Sequence, residues 1–139
     1  MRVNEVMRSE PEWVSPDITV QEAAQKLRDL EIGCLPVGEN DRLVGMVTDR
    51  DIACRAVADG HDPKKTKVRA IMSKGIVYCF DDEDIDDVAQ VLEQKHIHRL
   101  VVLNRKKRMI GLLSLREIAQ KCPHDLTGEV LDAVSRPIH

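Results

Sequence analysis

Aromatic side chains are scarce in this sequence of 139 residues, which contains only Trp13, Tyr78 and Phe80. So few rings cannot form the row of stacking platforms that single-stranded nucleic acids use. The formal net charge of −3 also argues against general binding to a phosphate backbone. We therefore expect no nucleic-acid partner, and a core of Val, Ile, Leu and Ala drawn from the 42% of apolar residues.

Cysteine pairs at redox or metal-binding spacing are also missing. No C-x-x-C pair or zinc-ribbon spacing occurs. The four cysteines are Cys34, Cys54, Cys79 and Cys122. His96 and His98 alternate as if on one strand face, but Arg99 beside them disfavours a cation and no third ligand is evident. We expect thiols in a reducing cytosol and no metal site.

Long apolar runs are absent as well. No segment approaches the run of about 18 apolar residues that a membrane span needs, and the N-terminus lacks the apolar stretch of a signal peptide. We therefore expect a cytoplasmic protein with no membrane partner. No acid–base pair, nucleophile set or metal cluster is recognisable, so we also expect that the protein is not an enzyme.

One stretch of the sequence occurs twice. Residues 45–51 (Gly-Met-Val-Thr-Asp-Arg-Asp) and residues 111–117 (Gly-Leu-Leu-Ser-Leu-Arg-Glu) are each followed by Ile-Ala. The apolar pair predicts the end of a buried strand, and the hydroxyl and acid predict the start of a helix. Such a junction directs backbone N–H groups and a positive dipole end at one point, which suits an anion.

The duplication extends well beyond these stretches. A capping box from Thr19 to Glu22 predicts a helix over 20–31, and its apolar spacing recurs 65 residues later, after Asp84. Each repeat is predicted as an extended segment, a helix, two strands and a helix. Two repeats are too few for a solenoid, so we expect two units packed about a pseudo-twofold axis with two related clefts between them.

The repeats set the predicted boundaries. The strands are predicted at 35–37, 43–48, 76–80, 100–103 and 109–114, and the later helices at 51–58, from 85 and at 116–121. Turns are predicted at 38–41 and, as a solvated basic hairpin turn, at 104–108. The domains are predicted as a first repeat at 1–59, a linker at 60–67, a second repeat at 68–122 and a helical tail at 123–139.

Taken in order, these motifs resemble a pair of CBS domains, the cystathionine-β-synthase-type regulatory module. The resemblance covers roughly residues 3–122 and is particularly close to small stand-alone bacterial CBS-pair proteins of the hypoxic-response type. It is carried by the pairs 6–7 and 71–72 (Val-Met and Ile-Met), by 15–23, by 32–37 and 97–102, and by the two glycine-opened stretches.

The resemblance implies a mixed fold (α+β, or α/β) of tandem CBS repeats, each a small mixed three-stranded sheet with two helices. It implies that an adenine nucleotide binds in the inter-repeat clefts: AMP first, then ADP or ATP, with NAD or S-adenosylmethionine as alternatives. It also implies a homodimer that signals to an unknown effector protein in trans, because no catalytic domain is joined to the repeats.

The resemblance also implies residue roles. The acid of each stretch would hold the ribose diol and the hydroxyl would contact ribose or phosphate. These residues are Asp51 with Thr48 and Glu117 with Ser114. Two vicinal hydroxyl donors suit the acceptor oxygens of a carboxylate. Basic residues would reach phosphates, often from the opposite repeat. His98 and Arg99 hold that position, with Arg50 and Arg116 as further candidates that are more often solvated.

A small apolar slot for adenine could be formed by Val14, Pro36, Cys79 and Ile97. The two copies differ, since Glu117 is one methylene longer than Asp51 and the first repeat has Gly-Cys where the second has His98 and Arg99. We expect one competent site, which combines Thr48 and Asp51 with the basic pair, and one weak or altered site. The alternative is an interaction or stress-related structural protein whose CBS sites have degenerated. Thr48, Ser114 and Asp51 could then serve only to begin their helices.

Overall fold

The computed structural model describes residues 1–40 and 42–136. The chain divides into two compact units, one of residues 12–76 and one that joins residues 1–11 to the chain from Val77 onward. Among the described residues, each unit contains one buried acid, Asp51 at 7% exposure and Glu117 at 9%. We call them the Asp51 unit and the Glu117 unit.

The elements follow one another in much the predicted order. In chain order they are α1 (Val3–Val6), β1 (Arg8–Ser9), α2 (Val20–Leu30), β2 (Cys34–Glu39), β3 (Arg42–Thr48), α3 (Asp49–Asp51) with a π-helical continuation (Ile52–Val57), a 3₁₀ turn (Val68–Ala70), β4 (Tyr78–Phe80), α4 (Ile85–Lys95), β5 (Arg99–Leu103), β6 (Met109–Ser114), α5 (Leu115–Lys121) and α6 (His124–Ser135). None of the helices in the described ranges is both long and apolar enough to cross a membrane.

The Asp51 unit is built on the antiparallel hairpin of β2 and β3. Val14 adds a parallel bridge to Val37, and Ser73 adds an antiparallel bridge to Met46. The core combines side chains of the hairpin with side chains of α2, the π-helical segment and the 3₁₀ turn. Its fully buried members include Val20, Leu35, Val47, Ala56 and Val68.

Of the capping box that predicts α2, the structure shows the bond accepted by Thr19. Thr19 accepts a 3.1 Å hydrogen bond from the N–H of Glu22, which satisfies one of the free amides of the first turn. The helix ends at Leu30, one residue before the predicted end, and its C-cap Glu31 lies in the left-handed region with φ 54°. The predicted linker also contacts this helix, because Val20 N–H donates to the carbonyl of Thr66 at 2.8 Å.

The Glu117 unit contains a four-stranded mixed sheet in the order β1-β6-β5-β4, with β4 parallel to β5 and the other pairs antiparallel. The mixed sheet is as predicted. Its fourth strand is β1, which the prediction of three strands left out. The fully buried core residues of the Glu117 unit include Val3, Val6, Leu92, Leu113 and Ile118.

Several local predictions need correction. The helix predicted over 51–58 starts at Asp49 and turns π-helical at Ile52. His96 ends α4 in the left-handed region with φ 53°, and β5 starts only at Arg99, so His96 and His98 do not share a strand face. In the turn predicted at 38–41, the first two residues extend β2, Asn40 has φ 54°, and Asp41 lies outside the described residues.

Two glycines, Gly45 and Gly111, lie where the segments that contain Met72 and Met7 pack. A Cβ on Gly45 would lie 2.7 Å from the sulfur of Met72, and a Cβ on Gly111 would lie 2.5 Å from the sulfur of Met7. Real Cβ atoms do not approach other atoms so closely, so only glycine admits the methionine. The segment that opens the second repeat therefore packs in the Asp51 unit, and the N-terminal segment packs in the Glu117 unit.

Candidate functional site

Thr48 and Asp51 form a reciprocal capping box where β3 runs into α3. The N–H of Asp51 donates to Thr48 Oγ1 at 3.0 Å, and the N–H of Thr48 donates to Asp51 Oδ2 at 3.0 Å. The two hydrogen bonds begin the helix and hold the carboxylate in place. The structure therefore brings together the first predicted hydroxyl–acid pair.

The other oxygen of Asp51 is also engaged. Ser73 Oγ donates to Asp51 Oδ1 at 3.0 Å, and Arg55 Nε lies 3.8 Å from the same oxygen. The guanidinium of Arg55 also donates to the carbonyl of Met72 at 3.3 Å. A carboxylate has about four acceptor sites, so Asp51 keeps the capacity to accept two more donors.

The box at Ser114 and Glu117 has a different bonding pattern. The N–H of Ser114 donates to Glu117 Oε2 at 2.8 Å, and the hydroxyl of Ser114 donates to that same oxygen. Ser114 Oγ in turn accepts the N–H of Arg116 at 3.2 Å. The hydroxyl of Ser114 thus donates inside its own box, whereas the hydroxyl of Thr48 accepts the N–H of Asp51.

His98 and Arg99 lie in the Glu117 unit, where β5 begins. The carbonyl of His98 accepts the N–H of Leu115 at 3.2 Å, and Arg99 is paired with Ser114 across β5 and β6. The structure therefore places the basic pair beside the Ser114 box of its own unit. The prediction that the pair acts together with Thr48 and Asp51 involves two separate units and stays a prediction.

The four residues predicted for an adenine slot are divided between the units. In the Asp51 unit, Val14 N–H donates to the carbonyl of Pro36 at 3.0 Å. In the Glu117 unit, Cys79 pairs with Val102 in the sheet, and Ile97 packs at the edge of the core. The side chains of Val14 and Cys79 both belong to the apolar cores of their units.

Burial determines the chemistry of the Cys79 thiol. Removal from water raises its pKa to about 12, and the nearby carboxylates of Glu83 and Asp81 add to the shift. Cys79 is therefore a neutral thiol at physiological pH and behaves as a small apolar residue.

The remaining predicted site residues are exposed. Arg50 and Arg116 both point away from the cores of their units, as expected for solvated helix residues. In the predicted basic turn, Arg105 is not simply solvated, because it forms a bidentate pair with Asp82 and lies 4.2 Å from the centre of the Phe80 ring.

Within residues 1–40 and 42–136, no three His, Cys, Asp or Glu side chains are grouped to hold a metal ion.

Sequence reasoning missed Ser73 and Arg55. Both contact Asp51, and neither belongs to the repeated stretch. A usable signal for Ser73 is its place directly after Met72, in the Ile-Met pair near the start of the second repeat. A surface pocket of about 330 Å³ in the Asp51 unit was also not predicted; it is lined by Trp13, Val14, Ser15, Gly38, Glu39 and Asn40.

Comparison with known proteins decides the family. The CBS domain profile matches residues 3–56 and again residues 68–124, which together make up most of the chain. The chain belongs to the CBS domain family. The mixed α/β fold and the tandem repeats predicted from the sequence are thereby confirmed.

Two relatives resemble this CBS chain over almost their whole length. The CBS domain-containing protein YhcV of Bacillus subtilis is 33% identical over 96% of this chain and 94% of its own. Hypoxic response protein 1 of Mycobacterium tuberculosis is 30% identical over the same shares. A crystal structure of Hypoxic Response Protein I, with two coordinated zinc ions, aligns with a TM-score of 0.77 and 30% identity over 88% of this chain and all of that one.

A solved structure also contains adenosyl ligands. The CBS domain pair of protein MJ0100 was crystallised in complex with 5′-methylthioadenosine and S-adenosyl-L-methionine. It aligns with a TM-score of 0.77 and 26% identity, over 86% of this chain and 98% of that chain.

Proposed function

We propose that this CBS pair is a regulatory module that binds an adenine nucleotide through Thr48 and Asp51 and signals to a partner protein in trans. The observation that carries the proposal is the state of Asp51. Its carboxylate is buried, each oxygen accepts one hydrogen bond, and it retains capacity for the two donors of a ribose diol. An exposed, mobile carboxylate would have to lose rotational freedom on binding, and this one has already lost it.

The adenosyl complex of the MJ0100 pair supports this choice of ligand class. That pair shares the fold and covers most of the present chain. The ligand proposed first is AMP, with ADP and ATP next and NAD or S-adenosylmethionine as alternatives. The phosphate contacts are proposed for His98 and Arg99, whose cationic groups suit phosphate oxygens.

The different hydrogen bonding of the two capping boxes supports unequal nucleotide affinities at the two sites. Asp51 presents two separately held oxygens, and the Thr48 hydroxyl can still donate to a ligand. In the Ser114 box the hydroxyl and the amide both donate to one oxygen of Glu117. We therefore propose that Asp51 belongs to the stronger site and Glu117 to a weaker one.

The proposed role is regulatory. A ligand shifts a conformational equilibrium only if it binds two states differently, and this differential affinity is the signal that a partner would detect. We propose a homodimer as the signalling form, which light scattering with and without ligand would test. Turnover of a nucleotide by the pure protein would contradict a purely regulatory role.

The direct experiment is a thermal shift assay of the full chain with AMP, ADP, ATP, NAD and S-adenosylmethionine. A ligand that binds only the folded state at 100 times its Kd adds about 2.7 kcal/mol of stability. Asp51→Asn should weaken binding by about 10- to 100-fold, because it removes hydrogen bonds to a charged acceptor. Glu117→Gln is the matched control and should have a much smaller effect.

Two results would contradict the proposal. One is the absence of any shift at millimolar ligand, which would favour the alternative, an interaction or structural protein with degenerate sites. The closed hydrogen-bonding of the Ser114 box is the observation that favours this alternative. The other is a calorimetric titration that shows two equal sites, which would contradict the assigned asymmetry.

A further inference from the structure

Ser73 is held against Asp51 by its backbone. Its N–H donates to the carbonyl of Met46 at 2.8 Å, and its carbonyl accepts the N–H of Met46 at 3.0 Å. The two bonds fix the main chain of Ser73 beside Met46 of β3, two residues before the hairpin ends at Thr48. From this position its hydroxyl reaches Asp51 Oδ1 at 3.0 Å.

The Ser73 hydroxyl controls one of the two oxygens of Asp51. Oδ2 is held by the amide of Thr48, so Oδ1 depends on donors from elsewhere. The second group near Oδ1 is the Nε of Arg55, at 3.8 Å, which is beyond hydrogen-bond distance. Without the Ser73 hydroxyl, the plane of the carboxylate would be fixed by a single hydrogen bond.

A cis-diol needs that plane to be fixed. Its two hydroxyls lie at a set separation, and a carboxylate accepts both only when its oxygens face them together. A freely turning carboxylate still accepts one hydroxyl but gains less from the second, because ordering the group then opposes binding. The orientation of the Asp51 carboxylate therefore affects the binding of ribose more than the binding of 2′-deoxyribose.

We propose that Ser73 is a positioning residue that orients Asp51 for the ribose diol and thereby makes the site select ribose over 2′-deoxyribose. This inference rests on the proposed function of the Asp51 site. It adds a residue and a selectivity that the capping box alone does not provide.

The Glu117 unit lacks an equivalent of this hydroxyl. A Cβ on Gly45 would lie 2.9 Å from the carbonyl oxygen of Ser73, and a Cβ on Gly111 would lie 3.0 Å from that of Arg8, so Arg8 occupies the corresponding position. Arg8 is exposed and has no hydroxyl. Glu117 is thus oriented from within its own box, and we expect ribose selectivity at the Asp51 site alone.

The test is calorimetric titration of the full chain with AMP and with 2′-deoxy-AMP. In the wild type, AMP should bind about 10-fold or more tightly than the deoxy compound, the effect of a lost hydrogen bond to a charged group. Ser73→Ala should reduce the ratio of the two affinities roughly fivefold, mainly by weakening the binding of AMP. Ser73→Thr keeps the hydroxyl and should restore the ratio, and Arg8→Ala should leave it unchanged.

A further variant guards against a folding defect. Ser73→Cys keeps the side-chain volume but offers only a weak donor, so it should behave like Ser73→Ala in the ratio. Equal weakening of AMP and 2′-deoxy-AMP, or an unchanged ratio in both variants, would overturn the role of Ser73 while leaving nucleotide binding intact. Failure of the wild type to bind either compound would overturn the proposed function, and the inference with it.

Discussion

The indole ring of Trp13 lies directly on Gly38 of β2. A Cβ built on this glycine would come within 2.0 Å of two carbons of the six-membered ring, Cε3 and Cζ3. No van der Waals contact is that short, so any larger residue must displace the ring. The ring is 46% exposed, and it forms part of the pocket in the Asp51 unit.

Gly38→Ala is therefore expected to destabilise the protein by about 1–3 kcal/mol, the usual cost of overpacking. Trp13 is the only tryptophan, so its fluorescence should shift to longer wavelength as the ring moves into water. Urea denaturation followed by fluorescence measures both effects. The matched control is Gly128→Ala in α6, where a Cβ would meet nothing within 4 Å. This control should stabilise the protein by about 0.5–1 kcal/mol, and equal destabilisation by both variants would contradict the role of Trp13.

Val6 joins the N-terminal segment to the core of the Glu117 unit, where it is 0% exposed. Val6→Ala should cost about 2–3 kcal/mol in the free energy of unfolding, because two methylene-sized groups are lost and a cavity remains. Val57→Ala makes the same chemical change at a residue that is 68% exposed, and its effect should stay within about 0.5 kcal/mol. Chemical denaturation of the two variants measures both free energies of unfolding. Similar losses of stability in both would show that the N-terminal segment contributes no core.

The cysteines should differ sharply in reactivity. Cys54 is exposed, whereas Cys79 is buried and has a pKa of about 12, so almost none of it is thiolate at pH 8. Burial also raises the pKa of Cys122. We expect an aromatic disulfide reagent to label Cys54 quickly and the three buried cysteines, Cys34, Cys79 and Cys122, only on unfolding, as mass spectrometry of peptides would show. Cys54→Ser should remove the fast phase, and a fast phase that persisted would contradict this assignment.

The local helix signals in the sequence were sufficient for most elements. Thr19 caps α2 as its spacing with Glu22 predicts, and Asp84 caps α4, because a capping side chain acts within three residues of itself. Strand β6 forms over the predicted residues for a similar reason, since its apolar run is bounded by a basic turn and by the hydroxyl of Ser114.

Contacts between distant segments were not predictable in this way. Ser73 touches Asp51 from 22 residues away, and no local pattern states against which half of the chain its segment packs. The π-helical turn after Asp51 and the left-handed conformation of His96 were not predicted either. The sequence predicted that helices begin at Thr48 and Ser114, but it did not predict the reciprocal bonds there or the different partners of the two carboxylates.

The pair of Asp82 and Arg105 predicts a pH effect. The hydrogen-bonded guanidinium of Arg105 lowers the pKa of Asp82 in the folded protein. A lowered folded pKa contributes stability above the unfolded pKa, and this contribution is lost as the pH falls through the folded value. The stability difference between wild type and Arg105→Gln should therefore be larger at pH 7 than at pH 2. Because both groups are exposed, the difference should shrink in high salt, and an increase towards acid would contradict the pairing.

The packing of Met7 on Gly111 and of Met72 on Gly45 separates the unit of duplication from the unit of folding. A fragment of residues 1–67 would carry a segment that belongs to the Glu117 unit and would lack residues 68–76, which complete the Asp51 unit. The complementary fragment would lack Val3 and Val6, both fully buried. Each half of the coding sequence thus encodes a piece of the other half's core, so neither half alone contains the residues of a complete unit.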